Sequence, residues 1–153
     1  MLWRYVTTHT IGQMRRAALA FYLLTAVVTA CTGIAAKGTG EAAVTRFHQQ
    51  LDSGSFDAIY DETDSLFQGA STREQFAAVL RAVHSKLGNV AGANETEFFT
   101  REEVGTNPGS YISLTFETAF ASGKGTEKFN YRVDGGKVRL VGYNINSNEL
   151  LTK

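Results

Sequence analysis

The chain has 153 residues, 43% of them hydrophobic and 20% charged, and its fifteen Lys and Arg balance fifteen Asp and Glu. That length holds one ordinary domain, the composition is that of a globular chain, and electroneutrality excludes the basic footprint of a general nucleic-acid binder. A single cysteine, Cys31, excludes an internal disulfide and a thiolate metal cage.

Charge is unevenly spread. Residues 1–30 hold Arg4, Arg15 and Arg16 and no acid, and Arg15-Arg16 precede an apolar run from Ala17 to Val28 that ends in Thr29-Ala30-Cys31. A basic region, an apolar core and small closing residues form the build of a secretory signal. The core partitions into the membrane during export while the arginines stay on the cytoplasmic side. Met14-Arg15-Arg16 offers a compact alternative start. An uncleaved anchor is the competing reading, because Ala17–Ala36 is a twenty-residue uncharged stretch, about enough to span a bilayer.

Val28-Thr29-Ala30-Cys31 resembles the lipobox of bacterial lipoproteins, with Val28 where Leu is commoner. The resemblance implies cleavage between Ala30 and Cys31, a diacylglyceryl thioether on Cys31 and acylation, by palmitate or a similar chain, of the new amine. Thr32 after Cys31 then implies sorting to the outer membrane, facing the periplasm, in a Gram-negative cell. Cleavage would remove three arginines and no acid, leaving twelve basic against fifteen acidic residues. Membrane residence would rest on the acyl chains, since three suffice where one is marginal.

Residues 31–40 are small and glycine-rich, which reads as a lipidated flexible tether, and the domain is expected over 41–153. Val44, Phe47 and Leu51 recur at helical spacing, and Ser53-Gly54 ends that helix. Ser55 is positioned to cap a short second helix carrying Phe56, Ile59 and Tyr60. Ser71-Thr72-Arg73-Glu74 reads as a capping box opening the longest helix, with Phe76, Val79, Leu80, Val83 and Leu87 as its stripe and Gly88 at its end.

Beyond Gly88 the period changes to two. Strands are predicted over Glu95–Val104, over Tyr111–Phe120 with Ile112, Leu114, Phe116, Thr118 and Phe120 on one face, over Glu127–Val133, and over Lys137–Asn146. Asn107-Pro108-Gly109, Ala121–Gly125 and Asp134-Gly135-Gly136 are the turns between them, and Gly142 marks an expected bulge. Helices followed by such a run give an α+β fold, N-terminal helices packed on a curved antiparallel four-stranded sheet.

Short helices followed by a meander ending Asp134-Gly135-Gly136-Lys137-Val138-Arg139-Leu140-Val141-Gly142-Tyr143-Asn144-Ile145 resemble a family of small exported bacterial proteins of unknown function. The segment Leu51–Tyr60 matches that family's helix break, while Val138 stands where many relatives carry Trp. The resemblance implies a cystatin-like or nuclear-transport-factor-2-like (NTF2-like) cone.

Chemistry is sparse. His48 adjoins Phe47 and His84 adjoins Val83, and neither has an acid at a local pairing distance, so both read as helix-boundary residues rather than catalytic ones. Asp57, Asp61, Glu62 and Asp64 lack the loop and glycine of a calcium site and read as a solvated acidic face. Gly123-Lys124-Gly125-Thr126 reads as a hairpin turn and not a phosphate loop. Adjacent Phe98 and Phe99 must point to opposite sides of their strand, which can leave one exposed for a partner.

The preferred expectation is therefore a non-enzymatic lipoprotein without cofactor or metal. It would be a binding or assembly module held at the membrane through Cys31, with an envelope protein as partner. The alternative is a cone-shaped small-ligand carrier or enzyme whose pocket is lined by Tyr60, His84, Phe116 and Tyr131. Cavity volume separates the two.

Overall fold

The computed structural model describes residues 35–134 and 136–151; the leader, Ala30, Cys31 and the expected cleavage point lie outside them. The chain divides after Ala35, and the description concerns the unit that starts at Ala36.

The first described helix, α1, runs to residue 52. Its buried face is Ala43, Val44, Phe47, His48 and Leu51, the helical spacing expected for a core-facing stripe. Gly54 stops it at φ 70°, a conformation open to glycine without strain. Residues 35–40, most of the expected tether, are helical instead. Gly40 supplies close approach here, not flexibility: a Cβ would lie 2.8 Å from Leu114 Cδ1 and 3.1 Å from Ile112 Cγ2. Lys37 ties this end of the helix to the sheet by pairing with Glu95, with its ammonium 5.4 Å from the Phe98 ring centre.

The second helix, α2 (Phe56–Asp61), starts after Ser55 as expected, but the Ser55 side chain makes no capping bond; its hydroxyl lies 2.9 Å from that of Ser53. A further short helix, α3 (Ser65–Ala70), is capped by Asp64, whose carboxylate accepts from the Leu66 N–H at 2.9 Å. The sequence hides it, because six residues containing Gly69 carry too short a stripe to register. The longest helix, α4 (Arg73–Leu87), has its capping box one residue later than predicted, on Thr72 and Gln75. Ser71 is unavailable because its N–H donates to Phe67 O at 2.9 Å and thereby closes α3. Ala77 takes an inward position on α4, and Val79 is left 48% exposed.

Four strands follow, β1 (Val90–Glu103), β2 (Gly109–Phe120), β3 (Gly123–Asp134) and β4 (Lys137–Asn146), then a short helix, α5 (Asn148–Leu151). They form one antiparallel sheet in the order β1-β2-β3-β4, so the fold is α+β with the helices preceding the sheet. Strand β1 begins five residues before the predicted Glu95, across irregular pairings at Val90/Gly92 and Glu95/Glu97. Gly123, Lys124, Gly125 and Thr126 belong to the ladder of β3 and are not the turn, which is reduced to residues 121–122. The expected bulge in β4 is present. Asn130 pairs with Gly142 and Tyr131 with Leu140, leaving Val141 as the extra residue.

The face of the sheet toward the helices carries Ile112, Leu114, Phe116, Thr118 and Phe120 from β2, and Glu127, Phe129 and Tyr131 from β3, all buried. Phe129 is fully enclosed, with the Phe47, Phe116 and Tyr143 rings 5.1, 6.1 and 5.2 Å away. The two edges of the sheet differ. Along β4, the Asp64 N–H donates to Leu140 O at 2.8 Å and Thr63 bridges the same residue. Along β1, no further strand follows among the described residues, and Glu97, Phe99, Arg101 and Glu102 are exposed.

Candidate functional site

The sequence alone reads His48 as a helix-boundary residue. The structure buries it, because residue 48 lies on the same helical face as Val44 and Leu51. Its Nε2 meets Glu127 Oε2 at 2.7 Å, and Glu127 is fully buried on β3. Thr118 donates to the same oxygen at 2.6 Å, and the Tyr143 hydroxyl donates to Oε1 at 2.7 Å. Both carboxylate oxygens are therefore satisfied, which a buried Glu requires if it is not to cost the fold heavily. Burial, reinforced by the Glu127 charge, holds the Tyr143 phenol well above its ordinary range, so it remains a donor. Of this acid–imidazole pair, His48 keeps 9% of its side chain exposed and Glu127 none.

The four residues expected to line one pocket do not meet around a cavity. Tyr60 lies within the helical layer, its hydroxyl donating to Ser71 O at 3.0 Å and the Arg73 guanidinium 4.7 Å from its ring centre. His84 is half-buried on α4, with Nε2 3.1 Å from Asn89 Oδ1 and its ring edge-on to Phe56. Phe116 and Tyr131 flank Phe129 within the core, with ring centres 6.1 and 6.2 Å from it. Of the four, Tyr131 borders a crevice.

The open space has two levels. An open groove of about 540 Å³ runs between α1, the end of α2 and the start of β4, with Thr39, Ala42, Arg46, Glu62, Val138 and Arg139 among its walls. Beneath it, a crevice of about 20 Å³ is bordered by Arg46, Phe47, Glu62, Val138 and Tyr131. The salt bridge from Arg46 Nε to Glu62 Oε2, 2.9 Å long, borders both levels. The Tyr131 hydroxyl is buried with no hydrogen-bond partner, and burial pushes its pKa strongly upward.

The supposed acidic face is partly dissolved into pairs. Arg73 holds Asp61 at 2.6 Å, Arg46 holds Glu62, and Asp64 is buried against Arg132 at 3.3 Å. Among the described residues, no group of His, Cys, Asp and Glu has a metal-holding arrangement, and no helix is long and apolar enough to cross a membrane. On the opposite face of the sheet, Phe99 is 63% exposed while Phe98 packs against the core.

A family model described as "Protein of unknown function (DUF4019)" matches residues 43–143, which takes in the buried pair, the crevice and most of the groove. No curated protein matches the chain.

Proposed function

The chain belongs to the DUF4019 family, and from that premise we propose that it is a non-enzymatic binding or assembly module, held at the bacterial envelope by acylation of Cys31. The observation that carries the non-enzymatic part is the filled interior. Among the described residues, the acid–imidazole pair of His48 and Glu127 is nearly enclosed, and Glu127 also accepts from Thr118 and Tyr143. General acid–base chemistry needs reach to a substrate proton, and this pair exposes only 9% of the His48 side chain and none of Glu127. The anchoring part is supported by the basic–apolar–small order ahead of Cys31. Cells expressing the full chain and fed labelled palmitate should label the protein, and Cys31→Ser should abolish the label; label persisting in Cys31→Ser overturns the anchor. Cross-linking in intact cells should recover the same envelope protein repeatedly, and failure to do so counts against the binding role.

A second reading, a carrier of a small ligand, is favoured by one observation: the groove shares walls with a crevice bordered by Tyr131, whose hydroxyl has no partner.

A further inference from the structure

The charges around the groove are unequal in one respect. Its acids are committed, Asp61 to Arg73 at 2.6 Å and Glu62 to Arg46 at 2.9 Å. Its cations Lys137 and Arg139 have no side-chain hydrogen bond or ion pair among the described residues. The uncommitted charge is therefore positive, and a concave wall of low dielectric concentrates that field on an incoming anion.

The crevice below adds a second asymmetry. Tyr131 and Arg46 border the same small space, and both side chains end in donors. The phenol is buried and has no acceptor, a condition that folded proteins avoid unless something else fills it. A volume of about 20 Å³ admits one oxygen atom and little more.

We propose that the groove binds a soluble amphiphilic organic anion, one carboxylate oxygen entering the crevice to accept from Tyr131 and Arg46, with the apolar body along Ala42, Ala43 and Val138. The inference rests on the ligand-carrier reading and deepens it. Binding exchanges the Glu62 carboxylate for that of the ligand at Arg46. The exchange is cheap, because the side chains of the Arg46–Glu62 pair are 53% and 44% exposed and such pairs contribute little. Lys137 and Arg139 take up the charge balance that Glu62 releases. The groove volume of about 540 Å³ lies within the usual span of small-molecule sites.

The test uses the full chain carrying Cys31→Ser, so that anchoring plays no part and failure here leaves the palmitate result untouched. Octanoate is titrated against Val138 methyl resonances, with acetate and octanol as controls for the head and the body alone. Octanoate should bind saturably and about tenfold more tightly than either control, and Lys137→Ala with Arg139→Ala should weaken it about tenfold. Tyr131→Phe should weaken it several-fold without lowering the melting temperature of the free protein, because the hydroxyl it removes has no internal partner. Val138→Trp should fill the groove floor and abolish binding; should that variant fail to fold, the rim pair and Tyr131→Phe decide the matter alone. Equal binding of octanol and octanoate, or unchanged octanoate binding in the rim and Tyr131 variants, overturns the proposal. So does displacement of octanoate by phosphatidylglycerol vesicles that bind the same chain, since the groove would then be a lipid-headgroup site.

Discussion

His48 and Glu127 lie 79 residues apart in sequence and 2.7 Å apart in space, inside a largely apolar core. Removing one member of a buried pair leaves the other without its partner, which is more costly than the pair itself is worth. His48→Ala should therefore destabilise the fold by about 3 kcal/mol or more, read as a lower urea midpoint. Thr118→Val should cost less, since Glu127 Oε2 would keep His48. A half of this site was legible in the sequence. His48 falls four residues after Val44 and three before Leu51, and Glu127 falls two before Phe129, so each is an ionisable group on an apolar face. Their meeting was not legible, because it depends on how α1 lies across the sheet, which no local spacing encodes. Tyr131 was expected at a pocket and does border one, but Tyr60, His84 and Phe116 each turn elsewhere.

Among the elements, the caps carry the clearest energetic consequence. Thr72→Ala removes the acceptor for the Gln75 N–H and should cost about 1 kcal/mol by denaturant unfolding, whereas Ser71→Ala should be nearly silent in that measurement. Had the capping box stood on Ser71 and Glu74, the order would be reversed. Asp64 caps α3 and also faces Arg132 from within the fold, so Asp64→Ala should exceed Thr72→Ala in cost. Strand β2 and helix α4 were readable because each is long enough for its period to repeat. The cap register was not, since Ser71-x-x-Glu74 and Thr72-x-x-Gln75 overlap and only the end of α3 chooses between them. Residues 35–40 misled for a different reason: glycine marks both loose chain and close packing, and Gly40 serves the second use against Leu114.

For the molecule as a whole, the buried phenols set an alkaline limit. Tyr131 and Tyr143 both have pKa values raised above the ordinary 10.0, chiefly by burial. Above that value the unfolded chain loses protons that the folded chain retains, so stability falls as pH rises; below it the two states hold these protons equally and no change arises. The loss should approach about 1.4 kcal/mol per pH unit for each tyrosine, or about twice that together. Urea midpoints measured from about pH 9 to about pH 11 should fall steeply, and Tyr143→Phe should flatten the slope by roughly half. A pH-independent midpoint over that interval would contradict the burial of both rings.

The unequal edges of the sheet bear on what happens when many copies are crowded together. Crowding favours strand-to-strand growth, and each open edge is a template for it. The β4 side is blunted by backbone from Thr63 and Asp64, which already occupies Leu140. The β1 side is open but carries exposed Glu97, Arg101 and Glu102 and a register irregularity at Glu95/Glu97, so an incoming strand meets charge and a twisted ladder. Resistance to filament growth is thus divided between a covered edge and a charged one, and Glu97→Val with Glu102→Val, which leaves the core untouched, should be enough to make the chain fibrillate, read by thioflavin fluorescence.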